Sequence, residues 1–389
     1  MKHKLNHIPR VGMLMALTAI AALCTASRVR AGGVSFYPTV TNVTQLIADI
    51  NYANTNGGTF TINLQPNTTF DLLTVNGYDQ LGDEMLPIIG GANAVNLTIL
   101  GNGDTLQRDT SALQGRLIEV AQGSSLTLVQ MTLQNGFAYA FSPSSYSAAF
   151  NGGAICNFGT LVISNCTLSG NTAYAYLDEY DQITSGGKGG AIYNGGGTVI
   201  ISDSLLSNNA ATGDGFTCGG AIYNDSGTVT ISHSTISGNS ADYYDGPLYG
   251  VGGGIYNNGT VTVENSSSIT GNGAAGLGPD VYNLATLYLD GTSTIGILDG
   301  NSAIPLAVLP FQITSIVRTN ANDLLITWNT SGTSNIIQAT AVTGASGSFS
   351  TNGFTDVTNI VVTTATTNFY DAGAATNMPA RYYRIRSPQ

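Results

Sequence analysis

Thr228-Val229-Thr230-Ile231-Ser232 alternates polar and apolar residues, the two-residue period of a half-buried strand. Around it, between Gly152 and Ala274, one pattern is written four times: GGAICNFGTLVISNCTLSGNTA, GGAIYNGGGTVIISDSLLSNNAA, GGAIYNDSGTVTISHSTISGNSA and GGGIYNNGTVTVENSSSITGNGA. Its isoleucine recurs at Ile155, Ile192, Ile222 and Ile255, spaced by 37, 30 and 33 residues. A worn fifth copy, GPDVYNLATLYLDG, puts Val281 in that place. Such a period marks a repeat architecture. No segment within a copy carries apolar residues at helical spacing. Each copy predicts about three short strands joined by Gly- and Asn-rich corners, too few to bury their own apolar face. Stacked coaxially, the copies bury Ile on Ile and Val on Val, which predicts a parallel β-helix. A propeller blade needs four antiparallel strands with hairpin turns, more than each copy offers.

The polar positions recur too. Asn157, Asn194, Asn224, Asn257 and Asn283 hold one place, and Asn171, Asn209, Asn239 and Asn272 another. Coils of a β-helix lie about 4.8 Å apart, so equivalent amides can hydrogen-bond in a row. Asparagine also tolerates the left-handed conformation that corners need. A row of ligand-binding amides is the functional alternative.

Outside the repeat the pattern changes. Thr41 to Asn54 predicts the one helix, with Leu46, Ile47, Ile50 and Ala53 on its apolar side, Asn42 or Thr44 as N-cap and Asn56-Gly57-Gly58 as its end. An open solenoid end needs such a cap. Phe60–Leu64, Asn96–Leu100 and Ser125–Leu128 read as early strands, so the solenoid starts before the clear motif and runs out near Gly300. Short alternating runs from Leu324, Ile336, Asn359 and Tyr382 then suggest a β-sandwich. The expected organisation is a targeting segment over 1–31, a capped parallel β-helix over 32–303 and a sandwich over 304–389.

GG-A-I followed by [Leu/Ile]-Ser-x-Asn resembles the GGAI and FxxN repeats of the polymorphic outer-membrane proteins and, more broadly, secreted bacterial right-handed β-helix proteins. Leu168, Leu206, Ile236 and Ile269 stand where that motif has phenylalanine. TQLIADINYANTNGGTFTINL resembles the capping segment of the same proteins. LLITW and RYYRIR resemble strands of fibronectin type III-like domains, which would make Trp328 a core residue. The resemblance implies an all-β protein with a right-handed, pectate-lyase-like solenoid, and adhesion or carbohydrate contact as its work. It supplies no active-site residues.

Composition narrows this further. Lys2, Lys4 and Arg10 precede an apolar run from Val11 to Ala26, followed by Val29-Arg30-Ala31, which reads as a secretory signal peptide. Its removal takes five of the twelve basic residues (Arg28 and Arg30 are the others) and none of the 23 acidic ones, so the formal charge falls from −11 to −16. A chain this acidic repels nucleic acid and anionic membranes. The mature chain has no apolar run that would span a membrane. It keeps Cys156, Cys166 and Cys218, an odd number. Their spacing suggests no zinc site, and buried packing is the simplest role for them.

Candidate chemistry is sparse. Between residues 32 and 310 the cations are Arg108, Arg116 and Lys188, and His233 is the one histidine left after cleavage. Arg108, near Asp104 and Asp109, suggests a surface salt bridge; His233 suggests an exposed corner. A lyase would need a cation beside calcium-binding carboxylates, and a hydrolase two carboxylates across one cleft. The stretches between copies are richer. They gather Tyr174, Tyr176, Asp178, Glu179, Tyr180 and Asp181, then Asp242, Tyr243, Tyr244, Asp245 and Tyr249, with Phe137, Tyr139, Phe141 and Tyr146 earlier. Insertions at one repeat position project from one face of a solenoid. Tyrosine suits sugar rings and protein partners; no cofactor is expected, although the acids could hold calcium. The expected function is a secreted or cell-surface, adhesin-like or carbohydrate-binding protein; the alternative is a polysaccharide lyase or glycoside hydrolase. The loops could also simply cover the outer sheet.

Overall fold

The computed structural model describes residues 37–79, 82–90, 93–140, 151–175, 185–213, 215–242 and 250–306, and beyond these the backbone of six strands between 313 and 386. The fold is all-β with an N-terminal helix, and its strands stack in long parallel sheets as a parallel β-helix. One coil runs Ile192–Gly195, Thr198–Ser202, Leu205–Ser207, Ala210–Gly213 and Phe216–Cys218 before Ile222–Asp225 starts the next. The coil thus has five strand segments, not three. The fourth begins on the last two residues of a copy, and the fifth lies in the stretch between copies. The interior residues of the fourth, Ala173, Ala211 and Ala241, are fully buried but too small to register as an apolar period.

Like positions pair across coils. Ile118, Ile155, Ile192, Ile222, Ile255 and Val281 are in register and wholly buried. Leu126, Leu161, Val199, Val229, Val261 and Leu287 form a second interior column. Each such side chain contributes roughly 1.5–3 kcal/mol by leaving water, so the core is a bundle of apolar columns along the axis.

The corners explain the polar code. Asn102, Gln130, Asn165, Asp203, His233 and Asn265 turn the chain within the fifteen-stranded sheet, with φ between 48° and 57°. The first glycine of each GG pair, at Gly152, Gly189, Gly219 and Gly252, turns it with φ of 65–69°. Left-handed backbone favours Gly and Asn, and at Gly152 a Cβ would also sit 2.2 Å from the Ile155 carbonyl oxygen. His233 is therefore a corner residue, and it is half-buried, not exposed as expected. Its Nδ1 lies 3.1 Å from Ser232 Oγ.

Both asparagine rows form. Asn157, Asn194, Asn224 and Asn257 each donate from Nδ2 to Oδ1 of the next, ending on Asn283, at 2.8–2.9 Å. Asn171, Asn209 and Asn239 do the same up to Asn272, at 2.8–2.9 Å. That second row closes on Asp280, whose Oδ1 accepts from Asn272 Nδ2 at 2.9 Å. A third row is made of hydroxyls: the backbone N–H groups of Cys166, Ser204, Ser234 and Ser267 donate to Oγ of Ser204, Ser234, Ser267 and Ser293. Asparagine here is a scaffold residue that satisfies buried backbone groups.

The helix Val43–Asn56 is capped by Asn42, whose Oδ1 accepts from the Gln45 N–H at 3.0 Å. Its buried side is Leu46, Asp49, Ile50 and Ala53; Ile47 is only half-buried, and Asp49 takes a core place no apolar pattern foresaw. The chain divides into two compact units at Ile304/Pro305, with Asp290–Thr292 grouped with the second. The second unit has two three-stranded antiparallel sheets. One pairs Leu324–Asn329 with Ile313–Arg318 and Thr366–Asp371; the other pairs Ser334–Ala341 with Thr355–Val361 and Arg381–Arg386. The expectation that Trp328 packs in a core concerns a side chain outside the described residues.

Candidate functional site: the outer aromatic columns

Because strands alternate, each residue beside an interior isoleucine points outward. In the Ile-Tyr-Asn strands this sets Tyr193, Tyr223, Tyr256 and Tyr282 in one outer column, with Cys156 in the same register. Their rings stack along the axis. Tyr193 and Tyr223 are 5.4 Å apart at 11°, Tyr223 and Tyr256 4.7 Å at 3°, and Tyr256 and Tyr282 5.8 Å at 32°. Phe158 extends the column, 6.2 Å from Tyr193. Cys156, Cys218 and Val251 pack against it. Sequence reasoning aligned these tyrosines but did not single them out as a face. The strand alternation through GGAIYN was the signal that could have done so.

Burial shapes the chemistry of this column. Desolvation raises the phenols of Tyr193 and Tyr223 above the usual range, and the nearby Asp225 carboxylate raises both further. Tyr256 is pushed up to about 12, chiefly by burial. Tyr193 Oη donates to Asp225 Oδ2 at 3.1 Å. Lys188, half-buried, lies over the Tyr223 ring with Nζ 5.3 Å from its centroid, a cation–π contact. Burial pushes the Cys218 thiol up to about 12, against the opposing pull of Lys188. The three described cysteines are buried.

A second, shorter column lies on the five-stranded sheet. Phe137, Tyr139 and Tyr174 stack there, Tyr139 and Tyr174 at 5.8 Å and 14°, Phe137 and Tyr174 at 6.0 Å and 28°. All three are half-buried. Tyr174 pairs across coils with Tyr139 and with Thr212. Asp242 is exposed directly after Ser240–Ala241, and its N–H donates to the Ala211 carbonyl at 2.9 Å. The register places it two coils from Tyr174, about 10 Å along the axis. Tyr176, Asp178, Glu179, Tyr180, Asp181, Tyr243, Tyr244, Asp245 and Tyr249 lie outside the described residues, as do Phe141 and Tyr146.

The solenoid's cations are taken up by the scaffold. Arg116 and Glu84 are both 0% exposed, with Nε 3.1 Å from Oε1. Arg108 makes no surface salt bridge with Asp104. It is 9% exposed, donates from Nε to the Asn135 carbonyl at 2.9 Å, and lies over Phe137. Asp104 is itself buried and accepts from the Thr68 N–H at 2.7 Å. Among the described residues no group of three or more His, Cys, Asp or Glu is placed to hold a metal ion, and no helix is long and apolar enough to cross a membrane.

Two shallow troughs cross the outer surface. One, of about 310 Å³, lies at the corner beside Phe158, between Asn96 and Thr198; the other, of about 550 Å³, lies over the corners at Asn102, Gln130 and Asn165. The chain matches no known protein family, no curated protein and no solved structure.

Proposed function

We propose that this is a secreted or cell-surface binding protein of adhesin type, which uses the outside of a right-handed β-helix to hold a carbohydrate or surface ligand. The observation that carries this reading is the division of labour among side chains. Arg116 is sealed with Glu84 in the interior, Arg108 is committed to backbone carbonyls, and Lys188 is laid on Tyr223. Aromatic rings, in contrast, are lined up on two outer columns; Tyr193 and Tyr223 are 8% exposed, so the rings left to meet a ligand are the half-buried Tyr256 and Tyr282 on one column and Tyr139 and Tyr174 on the other. A lyase base needs a cation free to reach substrate; a binding face needs rigid aromatic surface with little conformational entropy to lose. The N-terminal signal segment and the acidic charge fit an extracellular setting. The C-terminal sheets, with strand order first–second–fifth and fourth–third–sixth, fit a fibronectin type III-like sandwich that would act as a spacer or second contact.

The test is a panel of insoluble polysaccharides and cell surfaces, with retention and cleavage measured on one sample. Retention without new reducing or unsaturated ends is the expected result. Cleavage would overturn the reading in favour of a polysaccharide lyase or glycoside hydrolase. Replacing Tyr139 and Tyr174 by Ala should weaken retention with the circular dichroism unchanged; unfolding instead would make that column outer packing.

A further inference from the structure

The trough beside Phe158 has a composition that matches one class of ligand. It spans four coils, with Asn96 and the hydroxyls of Ser125, Thr160 and Thr198 along one side. The three hydroxyl residues pair directly across coils, Ser125 with Thr160 and Thr160 with Thr198. Asn96 opens the row, its Oδ1 accepting from Ser125 Oγ at 2.8 Å. The floor is glycine: Gly159, Gly196 and Gly197 leave the corner bare of side chains. Phe158 stands at the side, half-buried and held in place. Gly195 makes room for it, since a Cβ there would sit 2.4 Å from its Cε1, and Tyr193 backs it at 6.2 Å. No lining residue is charged, although the chain carries 35 charged side chains of its four formal types.

We infer that this trough takes a neutral, linear, β-linked glycan laid along the solenoid axis, about one sugar residue per coil. Deepening the carbohydrate-binding reading above, it rests on that reading and names its ligand class and seat. An aromatic side with a row of hydroxyl and amide groups serves the two faces of a pyranose, apolar and polar. The absence of lining charge disfavours uronates and sulfated sugars, which need a cation to replace lost hydration. Coils repeat at about 4.8 Å, close to the rise of one residue in an extended β-linked pyranose chain. Successive sugars of such a chain turn over, so alternate hydroxyls of the row meet equivalent edges of the glycan and those between meet the opposite edge. The row continues beyond the trough in Thr228, Thr260 and Thr286, so a long chain leaves it along a track of the same period. Backbone pairing between coils sets the row before a ligand arrives, which lowers the ordering cost of binding.

The full-length protein is titrated with cellooligosaccharides from two to six residues, with maltohexaose and oligogalacturonate as bent and anionic comparisons. Affinity should rise with length up to about four residues, and cellohexaose should bind at least tenfold more tightly than either comparison. The isosteric pair Thr160→Val and Thr198→Val should lower cellohexaose affinity about tenfold with the circular dichroism unchanged. Phe158→Leu, which keeps apolar contact with Tyr193, should lower it similarly and serves as the independent variant. Thr228→Val with Thr260→Val should change it less than threefold. Equal binding of oligogalacturonate, no length dependence, or unchanged affinity in both trough variants would overturn the proposal. If polysaccharide retention survives while the trough variants are silent, this seat is wrong and the binding reading stands. If wild-type protein is neither retained nor titrated, the binding reading itself falls, and the trough assignment with it.

Discussion

Asn239 is where the amide rows can be weighed. Its Oδ1 accepts from the Asn209 backbone N–H at 3.0 Å and from Asn209 Nδ2 at 2.9 Å. Its own Nδ2 donates to the Leu206 carbonyl at 3.0 Å and to Asn272 Oδ1 at 2.8 Å. Asn239→Ala removes these four bonds and a fifth, from Nδ2 to the Ser237 carbonyl at 3.2 Å. Asn209 Nδ2 keeps the Leu168 carbonyl, and Asn272 Oδ1 keeps the Asn239 N–H. The Asn209 N–H loses its acceptor in a site only 1% exposed. An orphaned buried donor costs about 1–3 kcal/mol, and each lost bond with a surviving alternative about 0.5–1.5. The expected destabilisation is therefore about 2–6 kcal/mol. Asn239→Asp separates the parts. It keeps the acceptor for Asn209 but faces the Leu206 carbonyl and Asn272 Oδ1 with a second acceptor. At pH 7 it should cost at least as much as Ala, and it should recover part of the loss at pH 4, where a protonated carboxyl can donate. Urea denaturation followed by far-UV circular dichroism measures both, with slopes compared because long repeats need not unfold in one step. A loss below about 1 kcal/mol for Ala, or an Asp variant indifferent to pH, would show that water replaces the amide and that the row is dispensable.

Three further outcomes are expected. Ile222→Asp buries a charge in a column that is 0% exposed and should cost more than about 4 kcal/mol; an unchanged urea midpoint would remove that residue from the interior. Burial pushes the Asp49 carboxyl up to about 6 from 3.8, against a lowering bond from the Tyr37 N–H. Its folded value exceeds its unfolded one, so this group's contribution is full below about pH 4 and is lost as pH rises through 6. Asp49→Asn should therefore gain roughly 2–3 kcal/mol on wild type between pH 4 and 7, and a pH-independent difference would refute the assignment. Cys166 holds the first place in the serine row, with its thiol pushed up to about 11 by burial. Cys156, Cys166 and Cys218 should react with a thiol reagent at pH 8 only in urea, and Cys166→Ser should be at least as stable as wild type; a loss above about 1 kcal/mol would break the analogy with Ser204.

What the sequence revealed follows from what a repeat amplifies. Isoleucine and asparagine occur at fixed places in every copy, so the apolar columns and both amide rows were legible before any coordinates. The serine row was not, because Ser204, Ser234 and Ser267 sit beside changing corner residues, Asp203, His233 and Ser266, and blend into the turn. The fourth and fifth strand segments of the coil were hidden for another reason. They pair through backbone, with alanine and glycine inside, and leave no apolar period. Asp49, Glu84 and Arg116 occupy buried places that polarity alone assigns to the surface. The tyrosine columns were half visible. Their positions were aligned, but only the coil geometry turns an aligned letter into a stacked ring. Phe137, Tyr139, Tyr174 and Asp242 are the described members of the loop set; Tyr139 and Tyr174 pair on adjacent coils, and Asp242 follows two coils from Tyr174.

The amide rows have a direction. From amide to amide, every asparagine donates towards the C-terminal coil and accepts from the N-terminal one, while in the second row its other Nδ2 hydrogen is spent on a backbone carbonyl of the preceding coil. Each finished coil therefore offers an open donor, and the next coil supplies the acceptor, as a growing polymer end takes a monomer. Asp280 ends the second row. Its Oδ1 accepts both the backbone and side-chain N–H of Asn272, and its Oδ2 accepts from the Ile297 N–H. A carboxylate has no N–H to pass on, and Gly296 leaves the space it fills, since a Cβ there would lie 2.2 Å from Oδ2. In polymer language the asparagines propagate and Asp280 terminates. A duplicated coil inserted before Asn272 would find its bonds waiting, whereas one added after Asp280 would meet a chain stopper in this row, so the length of the amide row is written in one side chain as well as in the number of copies.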